Sequence, residues 1–309
     1  MESLTFIIPA YNEEGAIGKT IDQIRSIFPN VKIAVCDNDS KDSTVSEALS
    51  RNVDIYRETK KGKGYAVAKL FRSINSEIYI MVDGDNTYDL SELKNALDIF
   101  KEKKLDMMIG NRFVNKKLSY MRKGHNIGNI LFTKLFKKIF DIKTNDIFSG
   151  LRIFSRPFVK SFPNLSGEFE IETEFSIFAS KMNLSIEEFP TFVKKRIGTS
   201  SKLSSFKDGF KILFFAARII HREYPYRICI PLTFICIITS IINILSIYSE
   251  FLVTGIVPRL PTLVLSSSIF LSGIFFMAIG IVLNSIDNLR YEQRKIAYLM
   301  SAIYENNYE

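Results

Sequence analysis

Over the first two thirds of the chain, short apolar runs alternate with amphipathic segments of helix length. Leu4 to Pro9 is apolar and strand-sized, and Ile17, Ile21, Ile24 and Ile27 then recur on one face at helical spacing. Further short apolar runs, at residues 31–36, 53–56 and 78–82, are each separated by a polar, helix-like segment. Repeated strand, helix, strand predicts an α/β domain, residues 1–204, with a mostly parallel sheet and helices on both faces. Ligands of such sheets bind beyond the carboxyl ends of the strands, so the residues after each apolar run are the ones to read for chemistry.

The pattern then changes. Residues 228–249 and 262–283 contain no charged side chain, and each would make a helix about 33 Å long, enough to cross a hydrocarbon core of about 30 Å. Both are predicted to be transmembrane helices. The connector from Glu250 to Pro261 carries only Glu250 and Arg259, whereas Arg290, Arg294 and Lys295 follow the second span. The positive-inside rule therefore predicts a multi-pass inner-membrane protein with both termini, including a tail at 284–309, in the cytoplasm. Met1 to Phe6 lacks the basic and apolar pattern of a secretory signal, which keeps the α/β domain on the same side.

Charge adds one element. The chain carries 41 Lys and Arg against 33 Asp and Glu, a net +8. Most of that excess lies between Lys194 and Arg227, where Asp208 and Glu223 are the only acids. Within it, Phe210, Leu213, Phe214, Ala217 and Ile220 fall at helical spacing between Lys207, Lys211, Arg218 and Arg222. Residues 205–226 are thus predicted to form an amphipathic helix lying on anionic membrane lipids, a partner favoured over nucleic acid by the adjacent span. Three cysteines, Cys36, Cys229 and Cys236, are too few for a disulfide framework, and no Cys/His spacing suits zinc, which fits a reduced, intracellular chain.

The strand ends carry the candidate chemistry. Pro9-Ala10-Tyr11-Asn12-Glu13-Glu14 supplies an aromatic face and acceptors but no Gly-x-Gly-x-x-Gly, which disfavours the usual dinucleotide fold. Asp37 to Thr44 is rich in acceptors, suited either to a polar ligand or to a turn and helix cap. Asp83-Gly84-Asp85 places two carboxylates where they can converge on one hard divalent cation shared with phosphates, although the same tripeptide also makes solvated turns. An EF-hand opening at Asp83 is excluded, because Tyr88 and Lys94 would stand where glycine and glutamate are needed.

Taken in order, Pro9 to Glu13, Asp37 to Thr44, Gly62-Lys63-Gly64 and Asp83-Gly84-Asp85 resemble glycosyltransferase family 2 with its Rossmann-like GT-A fold. Gly110-Asn111-Arg112, Asp146 to Arg152, Glu172-Thr173-Glu174 and Arg196 to Leu203 are similar to the family's polyprenyl-phosphate branch. That branch contains dolichyl-phosphate mannose and glucose synthases and bactoprenol glucosyltransferases. The resemblance implies that Pro9, Tyr11, Glu13, Asp37, Asp39 and Lys63 surround a nucleotide sugar, and that Asp83 and Asp85 hold Mg2+ or Mn2+ and its diphosphate. It implies further that Arg112, Ser149 and Arg152 hold an acceptor phosphate, and that Arg196, Ser201 and Lys202 lie on a loop closing over the donor. Asp85, Arg112, Arg152 and Asp146 would be the catalytic set. The chain departs from the family pattern at Asn38, within Asp37-Asn38-Asp39-Ser40, and at Thr87, where mannose synthases often have Gln.

The expected reaction is inverting transfer of one hexose to polyprenyl phosphate at the cytoplasmic face, from UDP-glucose or UDP-GlcNAc rather than GDP-mannose. An acceptor phosphate is already anionic, so arginines that position it would make a general base dispensable. The alternative enzyme extends a lipid-linked glycan or another hydroxyl acceptor and needs a carboxylate base, Asp146 or Glu172. A catalytically inactive nucleotide-sugar-binding scaffold is the alternative of another class. Small residues at Ser240, Ser272, Gly273 and Gly280 allow close helix contact, within one chain or between copies as a homo-oligomer.

Overall fold

The computed structural model describes residues 3–114, 133–134, 136–163, 171–194, 217–218, 220–221, 223–257 and 259–306. The chain divides into two compact units, one of Met1–Ser205 with Arg294–Glu309 and one of Phe206–Gln293. The first unit contains strands β1 (Leu4–Ala10), β2 (Lys32–Asp37), β3 (Asp54–Arg57), β4 (Ile78–Met81), β5 (Met107–Asn111), β6 (Arg152–Ser155) and β7 (Ile186–Pro190). Its described helices are α1 (Ile17–Ile27), α2 (Thr44–Leu49), α3 (Lys63–Ser73), α4 (Leu93–Glu102), α5 (Arg156–Ser161) and α6 (Ile171–Lys181). Apolar runs and helical periodicity therefore mark β1 to β4 and α1 to within about a residue.

The seven strands form one sheet in the order β3-β2-β1-β4-β6-β5-β7. β1 is parallel to β2 and β4, β2 to β3, and β5 to β7. β6 is inserted antiparallel between β4 and β5, so the sheet is mixed. Its reversal matters for chemistry, because the N-terminal end of β6 lies beside the carboxyl ends of its neighbours. The loop entering it, residues 146–151, is thereby delivered to the same rim as the loops leaving the parallel strands.

Alternation along the strands divides two apolar layers. Phe6, Ile8, Val35, Ile80 and Ile153 face Ile17, Ile21 and Ile24 of α1 and Leu93, Leu97 and Phe100 of α4. On β6 the neighbouring residue, Phe154, belongs instead to an aromatic cluster with Phe71 of α3, Phe158 of α5 and Phe175 of α6, at centroid separations of 4.9 to 5.7 Å. Arg152, two residues before Phe154, shares that inner face.

Two helices are long and apolar enough to cross a membrane, α7 (Tyr226–Thr254) in the second unit and α8 (Leu260–Asn306), which lies in it up to Gln293, with mean hydropathies of 2.5 and 2.2 over their most apolar stretches. Those stretches are only 17% and 6% buried, with Phe234, Ile242 and Phe275 about 60% exposed. Unpartnered apolar faces of that extent suit hydrocarbon rather than water. The connector is shorter than the sequence suggests, since α7 runs to Thr254, where Gly255 at φ +66° ends it in a left-handed conformation. Arg259 pairs with Glu250 across that turn.

Small residues let the two helices approach. Ser240 Oγ donates to the Ser266 carbonyl at 2.7 Å, and a Cβ at Gly280 would lie 3.1 Å from Cys229 Cβ. Ser272 instead bonds within its own helix, to the Ser268 carbonyl. α8 continues unbroken past residue 283, and in the first unit Tyr298 Oη donates to Asp106 Oδ1 at 2.6 Å. Most of the expected amphipathic segment 205–226, including all of residues 205–216, lies outside the described residues. At Gly273 a Cβ would meet Ile237 Cγ1 at 3.1 Å and the Thr233 carbonyl at 3.4 Å, so Gly273→Leu should force α7 and α8 apart. A loss of about 1–3 kcal/mol is expected in a thermal or steric-trapping unfolding measurement in detergent, whereas Ser272→Leu should change it much less.

Candidate active site

Two loops at the ends of β1 and β2 are stitched together by reciprocal hydrogen bonds. The N–H groups of Asn12, Glu13, Glu14 and Gly15 donate to Ser40 Oγ, Thr44 Oγ1, Asp42 Oδ2 and Glu47 Oε1 at 2.8 to 3.1 Å. Lys41 N returns one bond to Asn12 Oδ1. Burial acts to raise the pKa of Asp42, but bonds from Thr44 and the Glu14 N–H outweigh it and hold that carboxyl below its usual range. The Asp-rich segment is therefore partly a helix-entry device for α2, one of the two roles its sequence allows.

Asn38 does more than its polarity suggests. Buried, it donates through Nδ2 to the Glu58 and Lys60 carbonyls at 3.0 and 2.7 Å and accepts from Gly62 N–H at 2.7 Å. It fixes the loop that carries Lys61 over the Tyr11 ring, 5.6 Å from its centroid, and that starts α3 at Lys63. This explains an asparagine at the family's departure point, since one carboxylate cannot both donate and accept in this way. Asp37 is buried and accepts from Ser40 N–H. Asp39, at φ +63°, pairs with Lys41, whose ammonium lowers its pKa. Pro9 is buried within β1, opposite Cys36 of β2.

At the end of β4 the carboxylates gather. Lys63 Nζ, in the first turn of α3, contacts both Asp83 Oδ1 and Glu172 Oε1, the latter in the first turn of α6. Burial disfavours the Lys63 charge, but the two carboxylates overcome it and raise its pKa above the ordinary lysine value. Asp83 Oδ2 is backed by main chain, since a Cβ at Gly150 would fall 2.2 Å from it. Gly150 N–H donates to Tyr88 Oη at 2.7 Å, which pins this loop from the other side. Asp85 Oδ1 accepts from Thr87 N and Oγ1 at 3.2 and 2.7 Å, orienting its carboxylate.

The two arginines expected on an acceptor phosphate are engaged by the protein itself. Arg112 binds Asp146 through Nε and Nη2, both at 2.7 Å, and its own N–H also donates to that carboxylate. Burial opposes the Arg112 charge, yet Asp146 more than offsets this and raises its pKa. Asp146 is fully buried, and Glu188 braces the loop by accepting from the N–H of Asp146 and from Asn111 Nδ2. Arg152, also fully buried, donates to the Ser149 carbonyl, the Ile147 carbonyl and Ser176 Oγ at 2.9, 2.6 and 3.1 Å, and lies over the Phe175 ring. Burial pushes its pKa down to about 10, opposed by Glu172 and Asp146. Arg152, expected on an acceptor phosphate, here lies on the inner face of β6, where its guanidinium holds the 146–151 loop. Ser149 is buried in the same loop.

Arg196, Ser201 and Lys202 lie outside the described residues. The chain leading to them runs beside the Asp85 loop, where Lys194 N–H donates to the Thr87 carbonyl at 2.7 Å and Tyr88 bridges to Val193. Among the described residues no group of three or more His, Cys, Asp or Glu side chains forms a metal cage. Asp83 and Asp85 still fit Mg2+ or Mn2+, because they are hard oxygen donors and the donor's diphosphate and water can supply the remaining ligands.

Residues 5–162 match glycosyl transferase family 2. The chain is 38% identical to protein RfbJ of Shigella flexneri, over 40% of this chain and 95% of that protein. It is 25% identical to a dolichyl-phosphate hexose transferase of Haloferax volcanii, over 68% of this chain and 91% of that one. Its fold is similar to glucosyl-3-phosphoglycerate synthase of Mycobacterium tuberculosis, solved with Mn2+ and UDP-glucose, with a TM-score of 0.56 and 17% identity over 72% of this chain and 79% of that one.

Two substitutions separate the rim from its support. Gly150→Ala must displace the Asp83 carboxylate, and a shift of about 1 Å there should cost about a hundredfold in turnover. Arg152→Met leaves buried carbonyls without donors and should lower unfolding free energy by at least about 2 kcal/mol in a denaturant titration. The alanine variant should melt close to the wild type, and the methionine variant well below it.

Proposed function

The chain belongs to glycosyl transferase family 2, and we propose that it transfers one hexose, with inversion, from a nucleotide-diphosphate sugar to a hydroxyl of a lipid-linked acceptor. The observation that carries the acceptor class is the state of the charged groups at the rim. Arg112 and Arg152 are committed to Asp146 and to loop carbonyls, whereas Glu172 stands one ammonium away from Asp83.

The nucleoside would lie between Tyr11 and the Asp37 segment, and UDP-glucose or UDP-GlcNAc is the expected donor. Asp83 and Asp85 would hold Mg2+ or Mn2+, which when bound neutralises charge on the departing diphosphate. A hydroxyl acceptor must lose a proton as it attacks, and Glu172 is the carboxylate suited to take it. Asp146 is unsuited, being fully buried and clamped by Arg112 on both oxygens. Arg112 then acts through Asp146 to set the loop against Asp83, a positioning role. The two apolar helices keep the enzyme at the membrane, with the catalytic unit on the cytoplasmic side by the positive-inside rule.

Similarity to the dolichyl-phosphate hexose transferase favours a second reading, in which polyprenyl phosphate is the acceptor and needs no base. Arg112 would then exchange Asp146 for the phosphate. Membranes incubated with each radiolabelled nucleotide sugar, extracted into organic solvent and hydrolysed in mild acid separate the two. An oligosaccharide labelled at its outer end supports the hydroxyl acceptor, and a labelled monosaccharide supports polyprenyl phosphate. Glu172→Gln should lower turnover about 10²- to 10⁴-fold if it is the base. Asp85→Asn should abolish turnover at any acceptor with little change in melting temperature, and near-normal activity at limiting Mn2+ would remove the metal role of this loop.

A further inference from the structure

We propose that Lys63 is an internal counter-ion that a divalent cation must displace from Asp83, and that the released ammonium then meets the donor's diphosphate. The inference rests on the nucleotide-sugar reading above and adds an order of events to it. Asp83 Oδ1 contacts Lys63 Nζ, and Oδ2 is packed against the main chain at Gly150, where a Cβ would be 2.2 Å away. An ammonium and a divalent ion cannot share one carboxylate oxygen at contact distance without strong repulsion. A cation reaching Asp83 therefore competes with Lys63 directly.

The position of Lys63 defines where it goes. It sits in the first turn of α3, an eleven-residue helix that follows Gly62 at φ 140°. A cation is disfavoured there by the helix macrodipole and an anion is favoured, so Lys63 is held by Asp83 and Glu172 against its local backbone field. A diphosphate at the strand ends satisfies both the helix terminus and the ammonium. The flexible four-carbon stem of lysine makes such a change of partner feasible without moving backbone. Its departure would leave Glu172 free to accept the acceptor's proton, so the base would be masked until donor and cation are both in place. No local pattern announces this arrangement, because Lys63 and Glu172 are 109 residues apart.

The test measures Mn2+ binding to the full chain in detergent by the electron paramagnetic resonance signal of free Mn2+, with no nucleotide present. Lys63→Met should bind Mn2+ at least about fivefold more tightly than wild type, because the competitor is gone. Its affinity for UDP at saturating Mn2+ should fall at least about fivefold, because the diphosphate contact is gone. Lys63→Arg keeps the charge and should retain the weak Mn2+ affinity of the wild type. If Lys63→Met does not fold, Lys63→Gln carries the same two expectations while keeping hydrogen bonds to both carboxylates. Unchanged or weaker Mn2+ binding in a folded neutral variant overturns the displacement. A wild-type chain that binds neither UDP nor GDP overturns the donor reading instead, and the Mn2+ comparison still decides the competition.

Discussion

The ammonium of Lys63 lies between Asp83, just beyond β4, and Glu172, at the start of α6, and most of the rim is arranged around that contact. Without a cation between them, a half-buried and a buried acid from distant segments would repel one another. With it, α3, the β4 loop and α6 are tied at one point. Gly150 closes the remaining side of Asp83, and it can do so only because β6 runs against its neighbours and brings residues 146–151 to the strand ends. Arg152 supports that loop from beneath, and the Arg112–Asp146 pair with Glu188 supports it from the side.

This arrangement assigns different work to residues of similar chemistry. Arg112 is a half-buried cation and Arg152 a fully buried one; the first is matched to a carboxylate in fork geometry and the second to neutral carbonyls, so their pKa values move in opposite directions. Asp83, Asp85 and Asp146 are all strand-end acids, yet only the first two are half-buried beside the rim, where an incoming ion can reach them. Such a division is expected where a rigid sheet positions reactive groups on loops.

Much of the fold was legible in the chain. Apolar runs of strand length locate β1 to β4, and charge-free runs locate α7 and α8, because each has its own periodicity or length. β6 was not, since it has four residues, begins with an arginine and carries a short alternation. Asp83 and Asp85 could be read as a pair from spacing alone, and Asn38 as a departure from the family pattern. Their partners could not: the contacts Lys63–Glu172 and Gly150–Tyr88 join residues 109 and 62 positions apart, which only the sheet order brings together. Sequence likewise gives the charge of Arg152 but not the side of β6 on which it lies.

The central claim is that donor chemistry takes place on Asp83 and Asp85, with Lys63 as the cation that yields its place. Anomalous diffraction at the manganese edge, from the full chain crystallised with UDP and Mn2+, tests it most directly. The account predicts one manganese peak bridging Asp83, Asp85 and the diphosphate, with Lys63 Nζ moved off Asp83 and onto a phosphate oxygen. A manganese peak away from both aspartates, or one on Asp83 with Lys63 still in contact with it, would contradict the account.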